Sequence, residues 1–247
     1  MQNKIAFFVV SEMFNQYQSG KEIFKLYGLD QTVLIRAKNK VQDMSLGQVE
    51  MNFSLKGQDA LVTVEKKGAS DVLFDEVLKS LIKTFSSFIY ATEDVSLAKH
   101  AVDLLKISGK RLSVAESFTG GAVANAIVQV PGASEVFYEG IVCYNTNSKI
   151  TRLGVNPLTV KDYTVVSREV ALEMVKGLIE SGNCEVAVAT TGYATATKTN
   201  PAGLCYIAVA NEQKAEIFRY NFKGNREEII EQGKQSALFA LNRILRG

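Results

Sequence analysis

Leu112-Ser113-Val114-Ala115-Glu116-Ser117-Phe118-Thr119-Gly120-Gly121, running on into 122–130, decides how this chain is read. A short apolar run gives way to a serine and two glycines, then to helix-forming residues. The pattern is a strand over 111–116, a tight turn, and a helix over 119–130. A serine at such a turn is lifted toward solvent. The N–H groups of the helix start, near Thr119 and Gly120 with Gly121 behind them, favour negative charge beside it. A phosphate fits that place, and so does the oxyanion of an attacked carbonyl. His100 is the single histidine and reads as an ordinary helix residue. Serine chemistry in this chain therefore needs another base.

Working outward, composition narrows the classes. The 247 residues are 47% hydrophobic and 22% charged with a net charge of +2, which describes a globular protein with a sizeable core. A nearly neutral balance does not advertise a nucleic-acid or membrane partner. Cys143, Cys184 and Cys205 form no CxxC pair, so neither a zinc site nor a redox motif is expected. A sparse, odd cysteine count suits a reducing, cytoplasmic setting. The apolar run Ile5–Val10 is too short for a leader, and no stretch reaches the roughly 20 apolar residues of a membrane span.

Upstream of the serine, residues 1–92 read as a small α+β module. Residues 12–27 read as a helix closed by Gly28. Residues 48–55 alternate in the manner of a half-buried strand, and 60–64 form a second strand after the turn 56–59. Residues 70–85 carry the apolar stripe of an amphipathic helix. The stretch Thr92-Glu93-Asp94 reads as a link, and Asp94 as the cap of a helix over 95–107. Downstream, 136–144 reads as a strand, 167–179 as a helix capped by Ser167, and 185–191 as a buried strand. A hairpin over 204–222 follows, and Asn225 with Glu228 marks the start of a long final helix. Alternating helices and strands with one hairpin predict a three-layer α/β/α domain with a mixed sheet over 93–247.

The segments AESFTGG, VPGASEVFYEGIVCYNTNSK, LGV, VS (Val166-Ser167), VATTG and KGNRE, in that order, resemble the C-terminal domain of the CinA, or competence-damage-inducible, family. Stand-alone members of that family are nicotinamide mononucleotide deamidases. The resemblance covers about 92–247. The stretch ending FIYATEDVSLAKHAVDLL is similar to the KH-type linker that precedes this domain in full-length members, whose larger N-terminal domain is not expected in this sequence. The resemblance implies that Ser117 is the nucleophile and that Tyr144 and Lys149 stand beside it. It also implies that Thr191, Gly192 and Arg226 surround the amide and phosphate of the substrate. Two departures stand out. Phe118 replaces the family's usual cysteine, and the loop 192–203 lacks the glycines and proline of the TG-x-AGP-x-GG pattern.

Hydrolysis of a carboxamide requires a nucleophile, a base, an oxyanion site and a proton for the departing ammonia. Ser117 offers the hydroxyl. Lys149, by type most often a solvated surface charge, serves as base only if its pKa falls well below the ordinary ~10.4. Arg226 at a helix start matches a phosphate with its planar fork. The expectation is an amidohydrolase acting on nicotinamide mononucleotide, without metal or cofactor. The alternative is a nucleotide-binding protein whose altered 192–203 loop has ended catalysis. Nucleic-acid binding by the first module is not expected, since 1–92 contain no G-x-x-G loop. A homodimer is expected.

Overall fold

The computed structural model describes residues 20–246, which form two compact units, 20–96 and 97–246. The first contains β1 (Lys21–Tyr27), α1 (Gln31–Ser45), β2 (Val49–Lys56), β3 (Asp59–Lys66), α2 (Asp71–Phe85) and β4 (Ile89–Ala91). Its sheet has the order β2-β3-β1-β4. β1 lies antiparallel to β3 and to β4, and β2 is antiparallel to β3. This is a pair of interlocked split βαβ units, the ferredoxin-like arrangement. Alternation along β3 turns Ala60, Val62 and Val64 inward, and α1 and α2 cover them with Leu34, Val41, Phe74, Val77 and Leu78. Asp30 caps α1 by accepting from Thr32 N, and Ser70 caps α2 by accepting from Leu73 N.

The helix expected over 12–27 is corrected for its described part. Residues 21–27 are the central strand β1, buried from Phe24 to Tyr27. The rest of that expectation, and the apolar run Ile5–Val10, lie outside the described residues. Residues 31–45, not assigned from the sequence, are helical.

The second unit contains α3 (Leu97–Ser108), β5 (Leu112–Glu116), α4 (Ala122–Val128), β6 (Phe137–Val142), α5 (Thr146–Leu153), α6 (Pro157–Tyr163), α7 (Arg168–Glu180), β7 (Val186–Gly192), β8 (Leu204–Asn211), β9 (Ala215–Asn221) and α8 (Arg226–Leu245). The five strands run in the order β6-β5-β7-β8-β9, parallel from β6 to β7 and antiparallel from β7 to β9. α3, α4 and α8 pack together on one face, and α5, α6 and α7 on the other. The domain is thus a three-layer α/β/α sandwich with a mixed sheet. β5 is buried throughout and β7 from Val186 to Thr191, as the centre of a sheet covered on both faces must be. α3 starts at Leu97, beyond Asp94, so the cap expected there is not made. Across the α3–α8 pair, His100 Nδ1 lies 2.6 Å from Asn242 Oδ1, a structural tie in keeping with its ordinary reading. No helix among the described residues is long and apolar enough to cross a membrane.

Candidate active site

The site lies where β5 and β7 end. β5 stops at Glu116, and 118–121 form a turn before α4 begins at Ala122, three residues later than the sequence suggests. Two tethers to β7 hold the turn. Ser117 N donates to Thr190 O at 3.0 Å, and the hydroxyls of Thr119 and Thr190 meet at 2.7 Å. Gly121, at φ 100°, makes the left-handed step into α4 that a side chain resists.

The helix start itself is not available to a ligand, which corrects the expectation for Gly120 and Gly121. Glu116, 1% exposed, folds back beneath the turn. Its Oε2 accepts from Gly121 N at 3.0 Å and Val123 N at 3.1 Å, and its Oε1 from Ala124 N at 2.8 Å. Gly120 N is taken by Ser117 O at 3.1 Å. Among the described residues, the N–H groups of Phe118 and Thr119 are left without a partner at the turn. The Phe118 ring lies directly over Gly233 of α8. A Cβ there would fall 2.4 Å from the ring, so the bulk at 118 is accommodated by a missing side chain opposite.

Lys149 is not a surface residue. It faces inward from α5 and is 1% exposed. Its Nζ donates to Ser117 Oγ at 2.9 Å, to Cys143 O at 2.7 Å and to Tyr144 O at 3.4 Å. No carboxylate pairs with it among the described residues. Burial lowers its pKa from the ordinary lysine value, with the nearby Cys143 sulfur a smaller opposing influence. As an ammonium it gives one N–H to each of these three oxygens. Once a proton is lost, two N–H groups serve the carbonyls and the contact with Ser117 reverses, the hydroxyl donating to the amine lone pair.

A cavity of about 120 Å³ opens beside the pair, lined by Ser117, Lys149, Val165, Val166, Thr191 and Arg226 among others. Gly192 and Tyr144 also line it. Tyr144 touches Lys149 through its carbonyl and not its hydroxyl, which instead accepts from Arg226 Nη2 at 3.2 Å. Arg226 opens α8, whose capping box joins Asn225 and Glu228, and its Nη1 donates to Thr195 Oγ1 at 3.2 Å. Thr191 lies at the cavity but turns its hydroxyl to Val165 O at 2.9 Å. The altered loop does not fill the cavity. Tyr193 and Ala194 join its wall, and Thr195 to Thr199 are exposed. Sequence reading missed Glu116, Thr190 and the strand-end carbonyls that hold Lys149. Of these, only Glu116 left a signal, as a carboxylate placed to reach the start of the following helix.

These features define a class: a three-layer α/β domain with a buried serine–lysine pair at the carboxyl ends of parallel strands, where ligands bind in such sheets. Residues 94–245 match the model of the CinA C-terminal domain, and the chain belongs to that family. A CinA-like protein of Fusobacterium nucleatum is 33% identical over 225 residues, covering 89% of this chain and 54% of its own length. One from Endomicrobium trichonymphae is 36% identical over 200 residues, covering 80% and 45%. The chain spans about half the length of the curated relatives it matches. Among solved structures, a CinA superfamily protein of Klebsiella pneumoniae superposes with a TM-score of 0.58 at 28% identity, covering 60% of this chain and 95% of that one. A competence/damage inducible protein of Agrobacterium tumefaciens does so with 0.57 at 31%, covering 59% and 93%.

Proposed function

We propose that this protein is an amidohydrolase that converts nicotinamide mononucleotide to nicotinate mononucleotide and ammonia. The observation that carries the reading is the 2.9 Å contact of a buried lysine amine, unpaired with any carboxylate among the described residues, on the hydroxyl of Ser117. The substrate is the one that the family resemblance implies, and the phosphate is assigned to Arg226.

In the reaction, neutral Lys149 removes the hydroxyl proton as Ser117 Oγ bonds to the carboxamide carbon. Charge appears on the carbonyl oxygen and is met by the N–H groups of Phe118 and Thr119. The Lys149 ammonium returns its proton to the amide nitrogen, the C–N bond breaks, and ammonia leaves an acyl ester on Ser117. Water then attacks the ester with Lys149 again the base, releasing the carboxylic acid and restoring the serine. Tyr144 and Arg226 hold the phosphate end away from this chemistry.

Ammonia release from nicotinamide mononucleotide tests the reading. The wild type is expected to turn over, and Ser117→Ala to lose turnover while still binding the nucleotide by calorimetry. A wild-type protein that neither binds nor hydrolyses it refutes the proposal. One observation favours a second reading. Thr195 takes a guanidinium donor of Arg226 that a phosphate would otherwise use. Binding without turnover is the result expected of a nucleotide-binding protein that has lost catalysis.

A further inference from the structure

Thr164 has φ 70° and ψ 163°, a region of backbone space that glycine occupies and β-branched residues avoid. It follows α6 and begins the turn 164–167, which delivers Val165 and Val166 to the cavity wall. The turn is bonded at each end of its short length. Thr164 Oγ1 donates to Val166 O at 3.3 Å, and Ser167 Oγ donates to Thr164 O at 3.0 Å before capping α7 through Val170 N at 3.2 Å. Those bonds are local. The bond that reaches across to the sheet is Thr191 Oγ1 to Val165 O, 2.9 Å, from a residue with no exposed surface at the end of β7. A strained turn persists only where its surroundings over-determine it, and here a strand-end hydroxyl supplies that restraint.

We propose that Thr191 is a positioning residue that acts through Val165: its hydroxyl ties the strained turn to the sheet, and the tied turn forms the apolar wall against which the flat ring of the substrate packs. The inference rests on the proposed deamidase reading for the identity of the ring, and on the geometry alone for the tie. Thr191 then belongs to neither the proton-transfer chemistry nor the direct polar recognition of the substrate. Its loss should loosen the fit and leave the Ser117–Lys149 pair in place.

The test compares Thr191→Val, Thr191→Ser and Thr164→Gly/Thr191→Val by hydrogen exchange over 165–167 and by steady-state kinetics with nicotinamide mononucleotide. Thr191→Val, which keeps shape and loses the hydroxyl, is expected to speed exchange there and raise KM by about two- to tenfold, the worth of one hydrogen bond. Its kcat should change less. Thr191→Ser should behave as the wild type. With strain relieved by glycine at 164, the KM penalty of Thr191→Val should shrink. Unchanged exchange in Thr191→Val overturns the tie whatever the activity. An equal or larger KM penalty in the glycine background overturns the role of strain. A kcat loss approaching that of Ser117→Ala with KM unchanged overturns the positioning role, because it places Thr191 at the reacting atoms. A wild type inert toward the nucleotide, with exchange still responding to Thr191→Val, brings down the functional reading and upholds the tie.

Discussion

Lys149, buried and with no carboxylate partner among the described residues, is the residue on which the site turns. Burial disfavours the charged amine, so Lys149 loses its proton at a lower pH than an ordinary lysine. As the base it acts neutral, so turnover should rise with pH along a limb whose midpoint lies below the usual ~10.4. A rate that falls over the same range would remove Lys149 from that role. Lys149→Arg keeps a cation but offers no lone pair, and should reduce kcat by at least the 10²–10⁴-fold typical of a lost general base. Thr164 allows a second prediction, on stability. Glycine there relieves a strain of about 1–3 kcal/mol and adds about 0.4–1 kcal/mol of unfolded-chain entropy, so Thr164→Gly should gain roughly 1 kcal/mol in denaturant unfolding. Ser117 was legible from sequence because its turn is written in glycines. Lys149 was legible only through resemblance, since a lysine's type says surface and only the fold says core.

Among the elements, those with a broad apolar stripe were readable and those with a narrow or disguised one were not. α2 turns Phe74, Val77, Leu78, Leu81 and Ile82 inward and was placed correctly. α1 buries only Leu34, Ala37, Val41 and Ser45, too thin a stripe to stand out. α5 buries Lys149 and Leu153, so the residue that should have announced its inner face is the lysine itself. The remaining signs of α5 were its ends, Asn145 as N-cap and Gly154 in the left-handed position. The contact between α8 and the serine turn gives an element-scale prediction. Gly233→Ala drives a methyl into the Phe118 ring and should cost about 1–3 kcal/mol, with much of the loss recovered in Phe118→Cys/Gly233→Ala. Additive losses in thermal unfolding would show that the ring and the helix do not press on each other.

On the scale of the whole molecule, each unit has an apolar core of its own. That of 20–96 is built on Phe24, Leu78 and Phe85, and that of 97–246 on Val170, Met174 and Ala189. The proposed machinery, from Glu116 to Arg226, lies entirely in the second. A fragment of residues 94–247 should therefore fold and retain most of the kcat of the proposed deamidase reaction. A soluble, folded fragment without activity, beside an active full chain, would show that the first unit contributes to the reaction. The strands of the second unit and its helices other than α5 and α6 were readable in order, because most are bounded by glycine, proline or a cap. The first unit's topology was not, because residues 21–27 continue an apolar pattern that a helix would also show, and α1 buries too thin a stripe to mark the crossover.

The carboxylate of Glu116 has a consequence for which charges this site can host. By occupying the N–H groups of Gly121, Val123 and Ala124, it settles the positive end of α4 permanently from within the fold. A free dianion arriving from solvent finds no vacancy there, and in the proposed reading it is the Arg226 guanidinium that takes it. What remains at the turn is a pair of amides, enough for a single oxygen whose charge exists only while a bond is being made. In the proposed reaction the site thus separates two kinds of negative charge by lifetime: the one that a ligand carries in with it, and the one that the chemistry creates and takes away.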